Sequence, residues 1–129
     1  MMTFLALILN KVVAIINTMS VSAIHIEGGE PFLYPKLKNL IDLIDEREKI
    51  YIVTNGYLIN DDIVKILLDK GVDKYVVSID YLDGSTDVTK KSCYQAISVL
   101  NKYNIEPEIS VTLSKNNYLF FDKFCSSFR

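Results

Sequence analysis

The sequence has little cysteine: Cys93 and Cys125 are its only two, far apart and without a CxxC pair. Two separated cysteines with no histidine pair nearby indicate neither a disulfide framework nor a zinc site. We therefore expect a reduced, cytoplasmic protein. The sequence also lacks a run of Lys and Arg interleaved with aromatics, and its net charge is −2. This charge pattern argues against a nucleic-acid partner.

A clean membrane-length apolar run is also lacking. The apolar N-terminal segment is interrupted by Asn10, Lys11 and Asn17, and no basic stretch precedes it, so we expect no membrane association. A cleaved or anchoring segment is the alternative. Apolar residues recur in this segment at helical spacing, which predicts a helix with one buried stripe, made of Phe4, Ile8, Val12, Ile15, Ile16 and Met19.

Beyond this helix, short β-branched runs alternate with amphipathic stretches. The runs predict strands at 21–26, 50–54, 74–80 and 106–113, and the amphipathic stretches predict helices at 36–48, 60–71 and 92–104, with a last short helix in the tail. Such alternation is typical of an α/β fold with a parallel sheet. No glycine-, serine- or proline-rich linker divides the 129 residues, so we expect a single domain. Four strands make either a minimal open sheet or part of a larger one.

Polar residues close the predicted strands. Gly28, Gly29 and Glu30 follow the first strand, Thr54, Asn55 and Gly56 the second, Ser78 and Asp80 the third, and Thr112 and Ser114 the fourth. Each group alone is an ordinary turn sequence, but the carboxyl ends of parallel strands meet at one edge, where ligands bind. Two adjacent glycines leave bare backbone there, and the glutamate can accept from an amino group. A small ligand with an ammonium group and several hydroxyls would suit this edge.

The ordered set GGEP, TNG and SID, closing three successive strands, resembles the radical S-adenosylmethionine (radical SAM) enzymes over about residues 20–117. The resemblance implies part of a (β/α) TIM-type barrel and implies S-adenosylmethionine as a cofactor. By the family's pattern, the methionyl amino group would be bound by Gly28, Gly29 and Glu30, most directly by the last two. The methionyl or ribose part would contact Ser78 and Asp80, and the same cavity would be lined by Thr54 and Asn55.

One departure from the family's pattern concerns the iron–sulfur cluster. The family binds a [4Fe–4S] cluster with a CxxxCxxC motif upstream of GGEP, and no cysteine precedes Cys93 here. We therefore expect residues 1–129 to be a single incomplete radical SAM-like domain, N-terminally truncated or degenerate, that is inactive alone because it lacks the cluster ligands. Its first strand would lack a neighbour, which predicts self-association through the unpaired edge. The alternative is a non-catalytic binding module; an unrelated nucleotide-binding domain is disfavoured, since neither GxGxxG nor GxxxxGK[ST] occurs.

Three further residues have plain structural interpretations. His25 alternates with Ile24 and Ile26, and we interpret it as a satisfied interior group, with a cavity-lining role as the alternative. Glu27 shares its face. Cys93 is interpreted as a small buried hydrophobe, because no base is identifiable beside it. Nothing in the sequence indicates the substrate.

Overall fold

The computed structural model describes residues 4–19, 21–46, 48–79, 87–115 and 117–126. Its elements are α1 (Phe4–Ile16), β1 (Ile24–Ile26), α2 (Leu37–Ile41), β2 (Ile50–Thr54), α3 (Asp61–Asp69), β3 (Lys74–Ile79), α4 (Asp87–Lys102), β4 (Glu108–Val111) and α5 (Phe121–Ser126). Short 3₁₀ helices lie at Pro31–Leu33 and Tyr118–Phe120.

The strands form one parallel sheet in the order β1-β2-β3-β4. Each crossover steps one strand in the same direction, and right-handed crossovers of this kind place the connecting helices α2, α3 and α4 on one face. On that face, Ile52, Tyr75 and Val77 are buried in a cluster that includes Ala96 and Leu100 of α4. The predicted α/β class is therefore confirmed, as part of a (β/α) barrel.

The other face of the sheet, called here the open face, carries half-buried or exposed side chains. On this face, the Lys74 ammonium group lies 2.5 Å from the Glu108 carboxylate and 5.4 Å from the centre of the Tyr51 ring. The His25 ring meets Tyr51 edge-on at 4.9 Å. His25 is exposed, so its interpretation as an interior group was wrong; strand alternation separates two faces but does not say which one is covered.

Helix α1 departs from the predicted buried stripe. Of the predicted stripe, Ile8, Val12, Ile15 and Met19 are 41–60% exposed and Ile16 is half-buried, whereas the Phe4 side chain lies outside the described part of the chain. Among the α1 side chains that the structure describes, Val13 joins the core. An apolar stripe shows that a helix face can be buried, but not that a partner covers it. Asn17, which reads in the sequence as an interruption, fastens the end of the helix. Its amide donates to the Leu43 carbonyl at 2.8 Å and its oxygen accepts from Asp45 N at 3.1 Å.

No helix within the described ranges is long and apolar enough to cross a membrane.

Helix and strand bounds differ from the prediction where the pattern was weak. Helix α2 ends at Ile41 and not at 48, although Ile44 is still buried in the turns that follow. Strands β1 and β4 are shorter than 21–26 and 106–113. Helix α4 starts five residues earlier than position 92, in a polar segment without periodicity. Helix α3 follows its end signals: the Asn60 side chain accepts from Ile63 N at 3.0 Å, and Gly71 has φ +72°.

Candidate functional site

The carboxyl ends of β1 and β2 lie side by side, because Ile26 pairs with Ile52 in parallel register. We call the segments 27–30 and 54–56, which extend beyond these ends, the carboxyl edge. The sheet thus brings together five of the predicted site residues, which are Gly28, Gly29, Glu30, Thr54 and Asn55.

The Glu30 carboxylate ties the two segments of the carboxyl edge. Its Oε1 accepts from the Thr54 hydroxyl at 2.8 Å and from Phe32 N at 3.3 Å, and its Oε2 accepts from Asn55 N at 2.9 Å. The Phe32 bond also caps the 3₁₀ helix at Pro31–Leu33. An ionised carboxylate has about four acceptor positions. Three donors from the chain itself therefore occupy most of the Glu30 acceptor positions that we expected to be available to a ligand.

Thr54 lies on the helix-covered face, in alternation with Ile52, and is only 2% exposed. Its hydroxyl donates to Glu30 and accepts from Gly56 N at 3.1 Å. Asn55 is exposed, and its side-chain oxygen accepts from Tyr57 N at 3.0 Å in an Asx turn. Thr54 therefore supports the edge from behind, whereas Asn55 faces solvent.

The glycines of the carboxyl edge serve different purposes. Gly28 has φ +133°, a conformation that side chains rarely tolerate. A Cβ on Gly56 would lie 2.9 Å from the Ala96 Cβ, so Gly56 lets α4 pack closely. Gly29 has neither constraint, because its φ is outside the positive region and a Cβ there would meet no atom within 4 Å. The described chain itself does not require glycine at position 29.

The third and fourth strand ends are arranged differently. Ser78 is half-buried and pairs in register with Ser110 on the open face. Asp80 lies outside the described residues. The turn after β4 is held by Asn117, whose amide donates to the Thr112 carbonyl at 2.8 Å and whose oxygen accepts from Ser114 N at 2.7 Å. The role of Asn117 was not predicted: the Ser and Asn residues at 114–117 indicate a turn, but not which side chain holds it.

Neither cysteine is placed to bind a cluster at the carboxyl edge. Cys93 is buried on α4, and burial raises the pKa of its thiol to about 11, which disfavours the thiolate that metals need. Cys125 is half-buried on α5. Within the described segments no group of three or more His, Cys, Asp or Glu side chains could hold a metal ion. The predicted role of Cys93 as a buried hydrophobe is confirmed, and the residues present do not fit a [4Fe–4S] cluster.

Comparison with known proteins identifies the family. A family model described as the Radical SAM superfamily matches residues 5–115. The chain belongs to the radical SAM superfamily. This confirms the resemblance carried by GGEP, TNG and SID, and the radical SAM family uses S-adenosylmethionine and a [4Fe–4S] cluster.

The similar curated proteins are all named for one activity. A GTP 3',8-cyclase of Chlorobaculum tepidum is 29% identical over 111 residues, which cover 81% of this chain and 33% of the relative. A probable GTP 3',8-cyclase of Methanococcus maripaludis strain C7 is 32% identical over 126 residues (88% and 39%), and that of strain C6 is 32% identical over 124 residues (87% and 38%). The radical SAM chain thus spans between a third and two fifths of the length of these relatives.

Proposed function

We propose that the carboxyl edge binds the methionyl end of S-adenosylmethionine. The observation that carries this proposal is the space beside Gly29, where a side chain would meet nothing in the described chain and yet none is present. Because no side chain shields position 29, a ligand can come close enough for the peptide groups there to donate to its carboxylate and accept from its ammonium group. An α-amino acid offers both of these groups.

The side chains near the carboxyl edge would have different roles in binding the cofactor. The negative charge of Glu30 favours an ammonium group nearby, and its remaining acceptor position can receive one bond. Asn55, exposed at the same edge, offers its amide to the cofactor or the substrate. Ser78, and Asp80 with it, would contact the ribose or methionyl part. Thr54 acts from behind, since its side chain is buried.

The chemistry of the whole enzyme is also a proposal. In the family, a [4Fe–4S] cluster cleaves S-adenosylmethionine reductively to start radical chemistry, and the described residues of this chain do not fit such a cluster. The names of the relatives make GTP the first substrate to test for the complete protein. The second candidate is a non-catalytic module that keeps the cofactor edge, in line with the two separated free cysteines, one of them buried on α4.

Titration calorimetry with two ligands tests the cofactor site. S-adenosylmethionine carries the methionyl amino and carboxylate groups, and 5'-methylthioadenosine lacks both. We expect S-adenosylmethionine to bind and methylthioadenosine to bind at least about tenfold more weakly, since a hydrogen bond to a charged group contributes about 1.5–3 kcal/mol. No heat with S-adenosylmethionine would refute the site, and equal affinities would refute the assignment of its methionyl end to this edge.

A further inference from the structure

The hydrogen-bond phase of the β1–β2 pair determines which groups would meet if the two strands continued. Ile24 N donates to the Lys49 carbonyl at 2.7 Å, and the register pairs Ile24 with Ile50 and Ile26 with Ile52. In a parallel ladder this pattern repeats every two residues. If β1 continued two residues beyond Ile26 with this pattern, the Asn55 N–H would therefore donate to the Gly28 carbonyl.

The structure breaks the ladder at this step. Asn55 N donates to the Glu30 carboxylate at 2.9 Å, and β1 ends at Ile26. The Glu30 side chain thus replaces the backbone acceptor that a continued strand would use. The Asn55 N–H is thus bonded to Glu30 and not to the Gly28 carbonyl, and Gly28, with φ +133°, no longer has the extended conformation of a strand.

Thr54 holds Glu30 in this position. Its hydroxyl donates to Oε1 at 2.8 Å, while Oε2 receives Asn55 N. The Gly56 N–H donates to the same hydroxyl at 3.1 Å, which directs the hydroxyl proton towards Glu30. Because Thr54 is 2% exposed, it acts on a ligand at the edge through its hydrogen bonds to Glu30 and Gly56 and not by direct contact.

We infer that Glu30 and Thr54 are a positioning pair: they take the Asn55 N–H away from the Gly28 carbonyl and so keep that carbonyl free to accept from the ammonium group of the cofactor. This inference rests on the proposed function, and it assigns Glu30 a role through the backbone in addition to any direct contact. An acceptor already used within the sheet would have less capacity for a ligand.

The test compares Thr54→Val with Thr54→Ser. Valine keeps the shape and loses the hydroxyl, whereas serine keeps the hydroxyl. Thr18→Val is the matched control, since the Thr18 hydroxyl donates to the Ile15 carbonyl at the far end of α1. We expect Thr54→Val to weaken S-adenosylmethionine binding about tenfold and to leave methylthioadenosine binding unchanged. Thr54→Ser restores binding to within about threefold of wild type, and Thr18→Val changes neither affinity.

A general structural defect would weaken both ligands equally, and that result would overturn the inference. So would a Thr54→Val protein with wild-type selectivity, because direct contact from Glu30 alone would then suffice. The selectivity between the two ligands is therefore the decisive readout.

Amide NMR spectra separate this inference from the proposed function, because they need no ligand. In Thr54→Val the Gly28, Gly29 and Asn55 amide signals should move, and in Thr18→Val they should not. If these signals do not move, the inference fails whether or not the wild type binds S-adenosylmethionine. If Thr54→Val does not fold, Glu30→Gln is judged by the same three signals.

Discussion

Substitution of Gly29 by alanine separates binding from stability. The added methyl group would meet no atom of the described chain within 4 Å, and the backbone at Gly29 is not in the positive-φ region. Alanine also restricts the unfolded chain more than glycine does, so we expect the free energy of unfolding to stay the same or rise by about 0.4–1 kcal/mol. Thermal unfolding followed by circular dichroism measures this.

The same methyl group would occupy the space that we assign to the methionyl end of S-adenosylmethionine. Forcing one extra methyl group into a filled site costs about 1–3 kcal/mol, which raises Kd about 5- to 150-fold. Titration calorimetry on wild type and Gly29→Ala measures the change. A Kd equal to that of the wild type would refute the argument, because the space beside Gly29 would then not be the ligand's.

Gly71→Ala is the matched control at the opposite end of the sheet. Gly71 has φ +72° and, like Gly29, open space around a built Cβ. Alanine there should cost about 1–2 kcal/mol of stability through the left-handed conformation and leave the cofactor affinity unchanged. The two glycines are thus expected to show opposite patterns, and a Gly29→Ala protein less stable than Gly71→Ala would contradict the structure of the edge.

Three other predictions concern the core and the surface. Gly56→Ala should lower stability by about 2–4 kcal/mol, because φ is +81° and the new Cβ would lie 2.9 Å from that of Ala96; an unchanged melting temperature would contradict this packing. The raised pKa of Cys93, about 11, means that the folded state keeps a proton that the unfolded state loses. Stability measured by urea unfolding should therefore fall by about 2–3 kcal/mol between pH 9 and 11; Cys93→Ala should reduce this fall, and an identical pH profile would be evidence against it. We expect the exposed apolar residues of α1 to add to the self-association predicted for the unpaired strand edge, so Ile15→Glu, at a 60% exposed position, should lower the apparent mass in light scattering; an unchanged apparent mass would refute a contact through α1.

Much of the fold was predictable from the sequence, because strand and helix periods are local properties. The Asn60 cap and the left-handed Gly71 mark the ends of α3 in both sequence and structure. The GGEP and TNG segments were correctly predicted to meet, because the carboxyl ends of parallel strands always share an edge. The end of α2 at Ile41 was not predictable in the same way: Ile44 continues the helical spacing and is buried, but the chain there is already in turns.

The hydrogen bonds within the site could not be predicted from the sequence. The bond between Glu30 and Thr54 joins residues 24 positions apart, and no local pattern marks such a pair. The exposure of Ile8 and Val12 on α1 was likewise hidden, because periodicity predicts an apolar face but not the partner that covers it. In each case the missing information is tertiary.

The most direct test of the cofactor site is an amide NMR titration of the chain with S-adenosylmethionine. We predict saturable shifts at Gly28, Gly29, Asn55 and Ser78, with none at Lys70 and Gly71, which line a cavity of about 480 Å³ at the opposite end of the strands. The absence of shifts, or shifts confined to that opposite end, would contradict the assignment of S-adenosylmethionine binding to the carboxyl edge.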